Sequence, residues 1–279
     1  MHFFNLYILP LIWTPAPLPD SEISYFKSLV NYTASSNCVP GLDIWNCTTC
    51  TGSTIGTDQV TIVGGSEKDS FGYVAVNEHQ RRIIVSFRGS TSINDWVHDL
   101  QFIRTSSGVA NAPAGASVHG GFLKAWKTIS VGILSQLTVL INKYPDYAIL
   151  VTGHSLGGAI GVLCSMQLLS TGIVPVSKLE LFTVNQPRVG NSVWNSWVES
   201  FIARGMRYIR VTNMNDLVSH LPFSSWGFLH SGTEVWITSG KTLVCKSEES
   251  DCANSAYWYT TSRHGEAWGM LVGGKSCDK

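Results

Sequence analysis

No stretch of this sequence runs to about 18 uninterrupted apolar residues, so no segment reads as a membrane-spanning helix. Charge is scarce as well. Charged residues make up 14% of the 279, and nineteen basic residues balance nineteen acidic ones. With no net charge and no basic stripe, nucleic acid finds no electrostatic foothold. Internal repeats and low-complexity tracts are missing, which excludes repeat architectures and disordered tails. The N-terminus lacks the basic region of a signal peptide. Residues 3 to 13 form a short apolar core, yet proline follows the best small-residue cleavage site, Ala16. Residues 1–20 are therefore read as an N-terminal extension (signal core, expression remnant or surface arm), and residues 21–279 as one domain.

Hydrophobic residues, in contrast, make up 44% of the chain, enough for the dense core of one large α/β domain. Seven cysteines point to an oxidising compartment, and so do the sequons Asn31-Tyr-Thr33 and Asn46-Cys-Thr48, two candidate glycosylation sites of a secreted, extracellular protein. Cys47-Thr-Thr-Cys50 has the form of a redox or zinc motif, but no second ligand pair at zinc spacing accompanies it, which favours a short disulfide loop and no metal. Cys164 falls in a helical pattern and reads as a buried free thiol.

Apolar runs at Gly72–Val76, Ile83–Phe87, Tyr147–Thr152, Leu179–Val184 and Arg207–Val211 read as strands, and helical spacing fills 122–143, 157–170 and 191–204. Strands separated by helices imply right-handed crossovers and a largely parallel sheet, with reactive groups just beyond the carboxyl ends of the strands.

The stretch Ile149 to Ala159, "ILVTGHSLGGA", runs from one of those strands into a glycine cluster around Ser155. The G-x-S-x-G spacing decides little by itself; its place between a strand and a helix decides more. A serine squeezed into that turn takes strained backbone angles, with Gly153 and Gly157 present because a Cβ at either would collide with a neighbouring segment. A serine nucleophile needs an imidazole to take its proton and a carboxylate to orient that imidazole. In α/β-hydrolase-like sheets the order is Ser, then Asp or Glu, then His. Asp216, in the loop after "RYIRVT", passes that filter; Asp95, Asp99 and Asp146 precede the serine and fail it. A turn carboxylate capping local N–H groups is the plainer account of Asp216. Among the later histidines, His220 lies only four residues from Asp216 and His230 precedes the strand-like "TEVWIT", whereas His264 sits in a late loop free to fold back over the sheet edge.

The segments "SFRGSTSINDW", "VHGGFLKAW", "VTGHSLGGAIG", "NQPRVGN", "NDLVSHLP", "EVWIT" and "RHGEAWGM" occur in the order found in the fungal class 3 lipases, and residues 21–279 resemble that family. The resemblance implies an α/β-hydrolase fold, with a mostly parallel central sheet, helices on both faces and an amphipathic lid helix. It implies the triad Ser155, Asp216 and His264, and the disulfides Cys38–Cys277, Cys47–Cys50 and Cys245–Cys252. Two departures stand out. Asn185-Gln186 replaces glycine and a small residue, and Gly265 follows the histidine where a bulkier residue is common; both are expected to reshape the acyl pocket.

Attack on an ester carbonyl loads negative charge onto its oxygen, and preorganised donors there are usually the largest catalytic contribution. Leu156 N–H opens a helix beside the serine and is one donor; the resemblance places the other on Ser90, in the loop after "IIVSF". In "TSINDWVHDLQF", Ile93, Trp96, Val97 and Leu100 recur at helical spacing with polar residues opposite, an amphipathic helix that the resemblance makes a lid. Val218, Leu221, Pro222, Phe223 and Trp268 are candidate lining of the cleft, although clustered aromatics are more often core.

The sequence thus reads as a secreted, monomeric serine ester hydrolase acting on acylglycerols at a lipid–water interface, with no cofactor. Competing readings are a feruloyl-type or other small-ester esterase of the same fold, and a catalytically silent lipid-binding module. Trp96 and Ile93 argue against the first and an intact triad against the second. A serine peptidase fits the fold, but no pocket for a peptide side chain is evident.

Overall fold

The computed structural model describes residues 15–65, 70–90 and 103–277. In chain order the elements are β1 (Ala16–Pro17), α1 (Asp20–Ser35), β2 (Thr57–Val63), β3 (Gly72–Asn77), β4 (Arg82–Phe87), β5 (Arg104–Ser106), β6 (Ser117–His119), α2 (Gly120–Lys143), β7 (Ala148–His154), α3 (Leu156–Ser170), β8 (Leu179–Val184), α4 (Ser192–Ala203), β9 (Arg207–Asn213), β10 (Thr233–Ile237), β11 (Thr242–Cys245), β12 (Glu266–Ala267) and β13 (Met270–Leu271). Nine strands form one sheet in the order β1-β11-β10-β9-β8-β7-β4-β3-β2. The five central strands, from β4 through β7, β8 and β9 to β10, run parallel, and antiparallel pairs close both edges. β5 pairs with β6 and β12 with β13 in separate ribbons.

Parallel strands covered on both faces read as continuous apolar runs, and every residue of β3, β4 and β8 is buried. One face of the sheet packs on α1 through Phe26, Leu29, Val30, Tyr73 and Phe182. The other packs on α2, α3 and α4 through Phe87, Trp126, Ile133, Leu163 and Val198. α3 lies beside α2 on that face, with Trp126 Nε1 donating to Gln167 Oε1 at 3.0 Å. Twelve of its fifteen residues are buried, so it has no polar face.

The expected strands and helices are present, with ends shifted by one or two residues; β7 reaches His154 because its ladder with β8 continues to Val184. Among the elements without an expectation are α1 and β2. α1 is rich in Ser, Asn and Thr and starts at Pro19 without a side-chain cap. β2 breaks its alternation with a register shift between Asp58 and Thr61, Gln59 having φ +52°. Ahead of the boundary expected at residue 20, Ala16 and Pro17 pair with Val244 and Leu243, and Leu18 is buried.

Disulfides join Cys38–Cys277, Cys47–Cys50 and Cys245–Cys252, and Cys164 is a buried free thiol. Asn46 is exposed and Asn31 half-buried on α1. No helix among the described residues is long and apolar enough to cross a membrane.

Candidate active site

Ser155 lies between β7 and α3 with φ +57° and ψ −128°, angles an L-residue holds only when its surroundings over-determine them. The surroundings do so. Its N–H donates to Val184 O at 3.0 Å, and its own carbonyl accepts from Gly158 N at 3.0 Å. A Cβ on Gly157 would stand 2.1 Å from Phe87 O, and one on Gly153 2.3 Å from the carbonyl carbon of Gly157. The turn therefore closes only with glycine at both places.

The loop after β4 presses against the same turn: a Cβ on Gly89 would lie 2.9 Å from His154 O and 3.2 Å from Ser155 Cβ. Ser90, next in that loop, is half-buried, as is Leu156, the first residue of α3, where N–H groups lack intrahelical partners. The lid residues Ile93, Trp96, Val97 and Leu100 lie outside the described residues.

Asp216 follows β9 and is fully buried. Its Oδ1 accepts Val218 N–H at 3.2 Å, and its Oδ2 accepts Ser219 N–H at 3.1 Å and Ser219 Oγ–H at 2.7 Å. His264 Nδ1 sits 3.1 and 3.0 Å from the two carboxylate oxygens. Burial alone would raise the carboxyl's pKa, but His264, Ser219 and Val218 N–H outweigh it and hold the group below its usual range. The loop bearing His264 is stitched to the loop bearing Asp216: Leu217 N donates to Thr260 O and Thr260 N to Asn215 O, both at 3.0 Å.

With Nδ1–H directed at Asp216, His264 Nε2 carries the lone pair. Among the described residues, His264 Nε2 and Ser155 Oγ are both buried without a hydrogen-bond partner. Buried polar atoms are rarely left so. These are the two atoms that a proton transfer between base and nucleophile would join.

His220 and His230 are elsewhere engaged. His220 places its ring nitrogens 2.7 Å from Asp216 O and 3.1 Å from Ala253 O, and His230 Nε2 lies 2.7 Å from Ser219 O. Of the expected cleft lining, Val218, Leu221 and Pro222 are buried beside Asp216, and Phe223 is exposed with its ring 4.9 Å from that of Trp226. Trp268 packs instead on Phe26, toward α1, and donates Nε1–H to Thr242 Oγ1 at 3.0 Å.

At the Asn185-Gln186 departure both side chains are buried and hydrogen-bonded. Gln186 is buried beside Gly158 and accepts the Tyr208 hydroxyl at 2.8 Å, and Asn185 Nδ2 donates to His264 O at 2.7 Å. Asn185 thus ties the end of β8 to the loop bearing His264, and Gln186 ties it to Tyr208 on β9. At Gly265 no atom of the described residues lies within 4 Å of the position a Cβ would take, so that departure leaves open space. Sequence reasoning also missed Ser219 and Arg188. Ser219 was findable, since a serine three residues after an aspartate is a recurrent local cap. Arg188 holds the wall by donating to Pro222 O at 3.2 Å and to Glu248 at 2.7 and 2.9 Å, contacts that only the folded chain brings together.

Residues 84–226 match the family model described as Lipase (class 3). A lipase from Rhizomucor miehei is 34% identical over 86% of this chain and 66% of its own length, so the chain spans about two thirds of that relative. A secreted mono- and diacylglycerol lipase A from Penicillium cyclopium is 31% identical over 87% of this chain and 79% of its own length. A solved structure of a triacylglycerol lipase, described as having a serine protease triad as its catalytic centre, superposes with a TM-score of 0.83 at 32% identity, covering 94% of this chain and 99% of that one. Sequence match, fold and the arrangement around Ser155 agree, and the chain belongs to the class 3 lipase family.

Proposed function

We propose that this protein is a secreted serine carboxylic ester hydrolase that cleaves acylglycerols through an acyl-enzyme. The observation that carries the reading is the pair of buried, unpartnered atoms Ser155 Oγ and His264 Nε2, with Asp216 behind the imidazole. His264 takes the proton of Ser155 as its oxygen attacks the ester carbonyl, and then gives that proton to the leaving alcohol. Asp216 fixes the tautomer and stabilises the imidazolium. The N–H groups of Leu156 and Ser90 receive the developing oxyanion, each donor being worth about 3 to 4 kcal/mol. Water, deprotonated by the same imidazole, then releases the fatty acid.

Three disulfides support secretion, as does the secreted Penicillium relative. Acyl chains would lie along Val218, Leu221, Pro222 and Phe223, with the space beside Gly265 widening the cleft. In this reading the segment carrying Ile93, Trp96, Val97 and Leu100 is the lid.

Ser155→Ala removes an atom with no hydrogen-bond partner among the described residues, so it should abolish ester hydrolysis and fluorophosphonate labelling while leaving the melting temperature within about 2 °C of wild type. Initial rates on mono-, di- and triacylglycerols measure the activity. A wild-type chain that neither hydrolyses them nor reacts with the fluorophosphonate would overturn the assignment.

A further inference from the structure

We propose that Asn185, acting with His154, is a positioning residue that fixes the catalytic base through the main-chain carbonyl of His264. The inference rests on the reading of His264 as the base.

Asn185 is the first residue past β8 and has φ +50°, a region that asparagine tolerates better than most side chains. It is completely buried, and every polar atom of its side chain is used. Oδ1 accepts Asn213 N–H at 2.9 Å, while Nδ2 donates to His264 O at 2.7 Å and to Glu266 O at 3.2 Å. Three neighbours of fixed polarity leave only one orientation for the amide. Asn213 adds a parallel contact, its Nδ2 reaching Arg263 O at 2.9 Å. The carbonyls of three residues around the base are thus held by amides at the carboxyl ends of β8 and β9.

The His264 carbonyl has a second donor. His154 Nε2, on the residue before the nucleophile, lies 2.7 Å from the same oxygen, and the two imidazole rings are 4.4 Å apart. A carbonyl only accepts, so His154 carries its proton on Nε2. Burial, reinforced by the neighbouring His264, drives the His154 pKa down to about 3, so His154 stays neutral while its neighbour becomes an imidazolium. Asp216 grips the base through its ring; Asn185 and His154 grip it through its backbone, from the strand beside the nucleophile and from the nucleophile strand itself. The segment between them is a single short 3-10 turn, Thr261–Arg263, that cannot hold the ring by regular structure. Displacing a reacting group by about 1 Å can cost about a hundredfold in rate.

Asn185→Gly tests the amide while keeping a residue that accepts the left-handed backbone. On a soluble short-chain ester, kcat should fall about 10- to 100-fold with KM within about 3-fold, and fluorophosphonate labelling of Ser155 should slow by the same factor. Asn185→Asp keeps the acceptor but turns a carboxylate toward two carbonyl oxygens, and should be no better than Asn185→Gly. A second pair covers a failure of either variant to fold: His154→Gln retains an amide donor and should keep most of kcat, whereas His154→Leu should lose it as Asn185→Gly does. Wild-type kcat in Asn185→Gly or His154→Leu, with or without a lower melting temperature, overturns the proposal. His264→Ala separates the two readings: if it hydrolyses ester at the wild-type rate, the assignment of the base has failed and the clamp falls with it, whereas an inactive His264→Ala beside a fully active Asn185→Gly overturns the clamp alone.

Discussion

Asp216 performs two tasks that compete in many turns. As a cap it accepts the N–H groups of Val218 and Ser219, and in the proposed triad it also holds His264. The turn-carboxylate reading and the proposed triad role are compatible, because a carboxylate offers about four lone-pair sites. Ser219 Oγ–H takes one of them at 2.7 Å in a buried setting. Ser219→Ala should therefore destabilise the fold by about 1.5 to 3 kcal/mol at pH 7, the usual range for a hydrogen bond to a charged group. Urea unfolding of the two proteins measures it; equal midpoints would mean that the two N–H donors suffice.

At the scale of elements, the junction of β4, β7 and α3 sets where Ser155, the proposed nucleophile, stands. Gly157 brings α3 against Phe87 O, and Gly153 brings β7 against the first turn of α3. Gly157→Ala should push the helix from the sheet, cost at least about 1 to 3 kcal/mol as an overpacked core does, and remove activity through the misplaced serine. A folded, fully active Gly157→Ala protein would show that the turn relaxes. The proposed lid is tested by Trp96→Ser. Burying such a side chain completely stabilises by roughly 1.5 to 3 kcal/mol, so a lid that opens onto lipid would lose turnover on emulsified glycerides far more than on a soluble short-chain ester. Proportional losses on both substrates would place Trp96 in support of the site, and unchanged rates would make its helix a fixed surface element.

At the scale of the whole molecule, the Cys38–Cys277 bond closes a loop of 239 residues and ties the end of α1's segment to the C-terminal turn. In the chain-entropy model a loop of that size stabilises by about 5 kcal/mol. Acid acts on the whole molecule through buried groups. His154, His220 and His230 all titrate below an ordinary histidine, chiefly because burial penalises their charged form. Glu248, paired with Arg188, and Asp216 titrate below ordinary carboxylates. An unfolded chain therefore takes up protons first. Stability is full above about pH 6.5, falls by up to about 1.4 kcal/mol per pH unit for each neutral histidine below it, and falls again below about pH 4 as the carboxylates protonate. Urea midpoints at pH 7, 5.5 and 4.5 should decline in that order; a flat series would place these histidines in contact with water.

The sequence by itself determined the order of the central strands and helices from Gly72 to Asn213, though not the short ribbon β5–β6, together with the serine turn and the chain order that singles out Asp216 and His264. Each depends on local sterics, on apolar periodicity, or on a rule about which strand precedes which. Only the tertiary structure decided what those residues lean on. Asn185 reaches His264 across 79 residues, His154 reaches it across 110, and Arg188 reaches Glu248 across 60. A hydrogen bond between distant residues leaves no periodicity to read. The edge strands β1 and β2 were equally silent, one because two residues are too few for a pattern, the other because its register shift breaks the alternation. Their partners exist only once the sheet has formed, and it is pairing with those partners, not local preference, that makes them strands.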